Sequence, residues 1–143
     1  MWGAIRVGGT FCGCNPTSEG SEIVYALTRS KPRFVVAHLG TWERVSEACK
    51  QVGIGKERVL WLEGDDGGAV EKEEGVVGIL ELCEIGKGWG EEQVHEVKLR
   101  VGESNEDSLC LLAFSSGPTG SPKGVGASPS PKVLTSGADM KIT

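Results

Sequence analysis

The chain reads as an α/β protein with a mostly parallel sheet built from βαβ units. Three observations lead there. Apolar runs of strand length alternate with amphipathic stretches of helical period. The links between them are short and carry glycine or proline. And the 143 residues, 38% hydrophobic and 24% charged, suit a soluble globular domain rather than a disordered chain.

In chain order, Trp2 to Val7 reads as the end of a helix that breaks at Gly8-Gly9. Thr10-Phe11-Cys12 is a short strand, and Asn15-Pro16 a turn. Ser21 to Arg29 places Ile23, Val24 and Leu27 on one face and Glu22 and Arg29 on the other, so it predicts an amphipathic helix. Phe34-Val35-Val36-Ala37 predicts a buried strand. Thr41 is placed to cap a helix whose apolar positions are Trp42, Val45, Cys49 and Val52, and Gly53 ends it. Arg58 to Leu62 is the next strand. Strand, helix and strand in this order predict parallel pairing.

The pattern then weakens. Glu63 to Gly75 is acidic and glycine-rich and reads as a surface loop. Val76 to Ile85 predicts a short helix with Val77, Leu80 and Cys83 inward. Gly86 to Asp107 is polar, and it leads to the apolar run Leu109 to Ala113, a buried strand. Residues 126–143, GASPSPKVLTSGADMKIT, offer no apolar face to bury and are expected to be disordered. The domain reading is therefore one partial domain over 1–125 and a divergent tail over 126–143.

Charge and cysteine usage exclude several functions. A net charge of −5 without a basic stripe is unsuited to nucleic acid. No apolar run reaches the length of a membrane span, and neither a signal peptide nor a peroxisomal address is expected. A cytoplasmic location is expected, and the oligomeric state is left open. The five cysteines show no ladder of spacings, so free thiols are expected and no metal ligands are assigned. His38 reads as a strand-edge residue, and His95 lies among Glu92 and Glu96. Two histidines so far apart make no triad, and no catalytic residue is assigned. Trp2, Trp42 and Trp61 read as core, and Trp89 as a loop residue.

The most informative stretch is Phe114 to Val125, FSSGPTGSPKGV. It follows a strand-like run and brings together hydroxyls, glycines and one lysine. Little side chain blocks its backbone N–H groups from an anion, and Lys123 adds a full charge. It lacks the Gly-Lys-Ser/Thr ending of a Walker loop. The remaining reading has Ser115, Ser116 and Thr119, with the N–H groups near Gly117 and Gly120, holding ATP phosphates beside Lys123.

The order of these residues resembles the signature loop of adenylate-forming enzymes, Tyr/Phe-Ser/Thr-Ser-Gly-Thr-Thr-Gly-x-Pro-Lys-Gly-Val, and departs from it only at Pro118. A second stretch is similar to the same superfamily: Gly3-Ala4-Ile5-Arg6-Val7-Gly8-Gly9, then Asn15-Pro16, Glu22 and Ser30-Lys31. Thr10 to Pro16 looks most like its 4-coumarate–CoA ligase-like branch. The likeness covers residues 2–63 and 108–125, and the middle fits in length alone.

The resemblance implies a ligase that joins a carboxylic acid to ATP, releases pyrophosphate and passes the acyl group to coenzyme A, with Mg2+ required. It assigns ATP contacts to Ser115, Ser116, Gly117, Thr119, Gly120 and Lys123. Pro118 removes one hydroxyl and one N–H from that cradle and restricts Gly117 to extended backbone. The superfamily's adenine, ribose and late-lysine motifs are absent from these residues. The expectation is thus an N-terminal fragment, inactive alone. The rival readings are a non-catalytic nucleotide- or phosphate-binding module and a truncated product without function.

Overall fold

A computed structural model describes residues 1–63, 74–89, 98, 102, 104, 108–115, 123–128 and 133–135. At Trp2, Ser115, Lys123 and 133–135 the description is of the backbone alone. The chain divides into two compact units, Met1–Asn15 with Val94–Thr143, and Pro16–Gln93. The fold is mixed α/β with parallel pairing, as the sequence predicts.

The first unit begins with α1 (Trp2–Arg6). Its end is closed by two backbone bonds, Gly8 N–H to the Ile5 carbonyl at 2.9 Å and Gly9 N–H to that of Ala4 at 2.7 Å. This is a Schellman closure, and the φ of +78° at Gly8 explains why a glycine stands there. Then comes β1 (Phe11–Gly13), and much later β5 (Leu111–Ser115), β6 (Lys123–Ala127) and β7 (Val133–Thr135). They form one sheet in the order β1-β5-β6-β7, parallel at the first pair and antiparallel at the other two.

Strand β7 lies within the residues 126–143. Gly126 and Ala127 complete β6, and Val133–Thr135 pair with it in the register Val125↔Thr135 to Ala127↔Val133. The ladder thus continues past residue 125. Composition missed the strand because ladder pairing satisfies backbone groups whatever the side chains.

The second unit holds α2 (Gly20–Ser30), β2 (Val35–His38), α3 (Trp42–Gln51), β3 (Val59–Leu62), β4 (Val77–Gly78) and α4 (Ile79–Gly88). Its sheet runs β2-β3-β4, all parallel, so β2-α3-β3 is the predicted βαβ unit. Glu22 starts α2 by accepting the Glu19 N–H at 3.0 Å. One face of the sheet packs against both helices. Ala37 and Val59 lie in a core with Ile23, Leu27, Ala48, Cys49 and Ile54. Trp61 is buried and meets Trp42 at 4.9 Å between ring centroids, tilted by 57°.

Three details differ from the sequence reading. The Thr41 hydroxyl donates to the His38 carbonyl at 3.0 Å rather than capping α3, because residues 39–41 form a 3-10 turn. Phe34 and Val36 are 61% and 51% exposed, since helices cover only the face presented by Val35 and Ala37. Helix α4 starts after β4, and Leu80 and Cys83, expected inward, are exposed.

Candidate functional site

Strand β5 is fixed on both sides before it reaches the candidate loop. On one side, Phe11 N–H donates to the Cys110 carbonyl at 2.9 Å, and the Thr10 hydroxyl to that of Leu109 at 2.8 Å. On the other, Cys110 gives both its N–H (3.0 Å) and its thiol (3.3 Å) to the Ala127 carbonyl. From there β5 and β6 run side by side through five register pairs, Leu111↔Ala127 to Ser115↔Lys123. Leu112, 3% exposed, buries the middle of β5.

The last pair is the useful one. Ser115 ends β5, Lys123 begins β6, and the two stand directly opposite each other. The other proposed phosphate contacts, Ser116, Gly117, Thr119 and Gly120, lie outside the described residues, as does Pro118. The structure thus brings together the two ends of the candidate cradle. In residue type the pair suits an anion, one hydroxyl donor and one permanent cation, and it offers no carboxylate to hold a metal.

One contributor escaped the sequence reading. Gly124 stands opposite Phe114 in the ladder, and a Cβ there would approach Leu112 Cδ1 at 3.4 Å and Phe114 Cε1 at 3.8 Å. Its bareness lets Leu112 and Phe114 pack beside the backbone that carries Lys123. The signal was available in the Lys-Gly-Val ending, where a glycine follows the only lysine of the loop.

Elsewhere the described residues offer little competing chemistry. His38 ends β2 as expected, and its Nδ1 accepts the Gly40 N–H at 3.2 Å, so the ring caps a turn. None of Cys12, Cys14, Cys49, Cys83 and Cys110 is in a disulfide. Burial pushes the Cys49 thiol up from its usual range. Among the described residues no three His, Cys, Asp or Glu side chains gather as a metal site, and no helix is long and apolar enough to cross a membrane.

Comparison with known proteins agrees with this frame. Residues 1–138 match the family model of the AMP-binding enzymes, so the match extends past the loop and through β7. A 4-coumarate–CoA ligase-like protein of Arabidopsis thaliana is 33% identical over 123 residues, which are 86% of this chain and 19% of that one. Among solved structures, the anthranilate–CoA ligase AuaEII with anthranoyl-AMP superposes with a TM-score of 0.65 at 18% identity, over 89% of this chain and 21% of that chain. A red-emitting luciferase of Phrixothrix hirtus gives 0.66 at 18% identity, over 87% and 22%. An acyl-CoA synthetase of Brucella canis gives 0.60 at 17%, over 88% and 20%. These superpositions show a shared fold. The chain spans about a fifth of the relatives it matches, and by its family match and its 4-coumarate–CoA ligase-like relative it belongs to the AMP-binding, adenylate-forming ligase family.

Proposed function

We propose that this chain carries the phosphate-holding part of an ATP-dependent carboxylate–CoA ligase and does not complete adenylation alone. Residues 1–125 would form its share of the synthetase domain. The observation that supports this most is the Ser115↔Lys123 pair, which holds the two ends of the FSSGPTGSPKGV loop at the close of a ladder. In this reading Ser115, Ser116 and Thr119 donate hydroxyls, Gly117 and Gly120 free backbone N–H groups, and Lys123 places a charge on the phosphates. Lysine fits the task because ATP and a carboxylate repel each other, and pyrophosphate leaves with added negative charge. Magnesium, coenzyme A and the acid would be held by parts of the ligase that these residues do not supply.

The test is ATP affinity by calorimetry on the whole chain. Lys123→Ala is expected to weaken binding by at least about tenfold, the scale of one charge-assisted contact. Equal affinity in both proteins would remove the loop from the phosphate site. Because the chain spans about a fifth of its relatives, a second reading is a nucleotide- or phosphate-binding module without catalysis. Lys123-dependent binding with no pyrophosphate–ATP exchange would fit that reading too. Exchange restored by the remaining part of a relative would favour the ligase.

A further inference from the structure

The described residues of the second unit are electrically polarised, although the whole chain is acidic, at −5. Helix α3 returns antiparallel between β2 and β3, so the strand starts and the last turns of α2 and α3 share one end. Six cations collect there: Arg29 and Lys50 on the helices, Lys31 and Arg33 before β2, and Lys56 and Arg58 before β3. Among the described residues, Glu57 and Glu74 are the acids beside them. The other end carries Glu19, Glu22, Glu43 and Glu63 with Arg44.

Helix dipoles account for Arg29 and Lys50, which sit in the last turns. They do not account for the other four. Arg58 joins the two strand starts, Nε donating to the Arg33 carbonyl at 2.6 Å and an Nη to that of Pro32 at 2.7 Å. Lys56 Nζ donates to the Glu74 carbonyl at 2.9 Å. Carbonyl partners fix these side chains without neutralising them. Lys31 holds a left-handed backbone, φ +45°, at the exposed C-cap of α2. Beside Arg33 stands Phe34, 61% exposed, with Val36 on the same strand face at 51%.

We infer that this basic end, with Phe34 at its edge, docks on an anionic lipid surface. A charge cluster alone would suit any polyanion. An exposed aromatic flanked by cations suits a membrane, because the ring enters the headgroup boundary while lysine and arginine stay with the phosphates. The docking is peripheral and electrostatic, and salt weakens it.

The experiment is vesicle co-sedimentation of the whole chain. It uses phosphatidylcholine alone and phosphatidylcholine with about a third phosphatidylserine, at low salt and at about 0.5 M NaCl. Binding is expected to the anionic vesicles alone and to fall with salt, a readout that needs no variant. Lys31→Glu with Arg33→Glu should weaken it by about thirtyfold, at about fivefold for each basic residue lost. Phe34→Ala should weaken it by about fivefold or more, with circular dichroism confirming that both variants fold. Absence of binding, or equal binding to neutral vesicles, would overturn the inference. So would poly-glutamate bound as tightly as vesicles with Phe34→Ala unaffected, which would indicate an acidic protein partner.

Discussion

Cys49 shows what a single buried thiol does to this molecule. It is 1% exposed inside the α2–α3–sheet core, and desolvation there raises its pKa. The folded protein holds the proton more tightly than the unfolded chain. Stability from this group is therefore full below the unfolded thiol pKa, about 8.5, and is lost as pH rises from there through the higher folded value. Thermal melts above about pH 8.5 should show a declining midpoint, with a smaller slope in Cys49→Ala, at about 1 kcal/mol of lost packing. An identical slope in the variant would assign the decline to other groups. Exposed Cys14 and Cys83 should meanwhile react with a thiol reagent in the native protein long before Cys49 does. Pro118 is a residue-scale question of another kind. It stands where the family has a hydroxyl, and Pro118→Thr is expected to tighten ATP binding by about fivefold or more, one restored hydrogen bond. Unchanged affinity would show that position 118 does not touch the phosphates.

The ends of the elements carry much of what composition alone cannot. Helix α3 closes with Gly53 N–H on the Lys50 carbonyl at 3.2 Å and Ile54 N–H on that of Cys49 at 2.8 Å, a Schellman motif with Gly53 at φ +75°. A Cβ at Gly53 would meet nothing within 4 Å, so Gly53→Ala isolates the backbone cost. The expected loss is about 1–2 kcal/mol in denaturant unfolding, and a loss near zero would mean that the turn relaxes. This stop was legible, because glycine after a 3.6-period run has one common use. The start of α4 was not. Leu80 N–H donates to Glu63 Oε2 at 3.2 Å, and a side chain at Gly78 would collide with that same carboxylate. The partner lies 17 residues away in sequence and reads locally as the first acid of a charged loop. Glu63→Gln should cost about 0.5–1 kcal/mol by removing charge from a helix N-terminus. The helices and parallel strands of 20–62 were legible because their periods are regular. Strand β7 and the exposed face of β2 were hidden, since pairing and coverage depend on what the rest of the fold supplies.

At the scale of the whole molecule, the parallel sheet β2-β3-β4 is covered by helices on one face. A parallel sheet is ordinarily covered on both faces. Here α2 and α3 cover the face of Val35, Ala37 and Val59, while Phe34, Val36 and Leu62 remain exposed. In the other sheet, Ser115 and Lys123 stand opposite each other at the end of the β5–β6 ladder, the pair proposed above to hold the phosphates. Adenylation needs a metal and a bound acid in line with the α-phosphate, and positioning of this kind supplies much of the barrier reduction. A chain that spans about a fifth of its relatives and holds only the phosphates would bind the nucleotide without aligning an attack on it. Pyrophosphate–ATP exchange should therefore stay at the uncatalysed background with this chain, ATP, Mg2+ and aromatic or fatty acids, even where calorimetry shows Lys123-dependent ATP binding. Exchange above background that disappears in Lys123→Ala would show that these residues suffice for the first half-reaction, and the proposal of an incomplete ligase would fail.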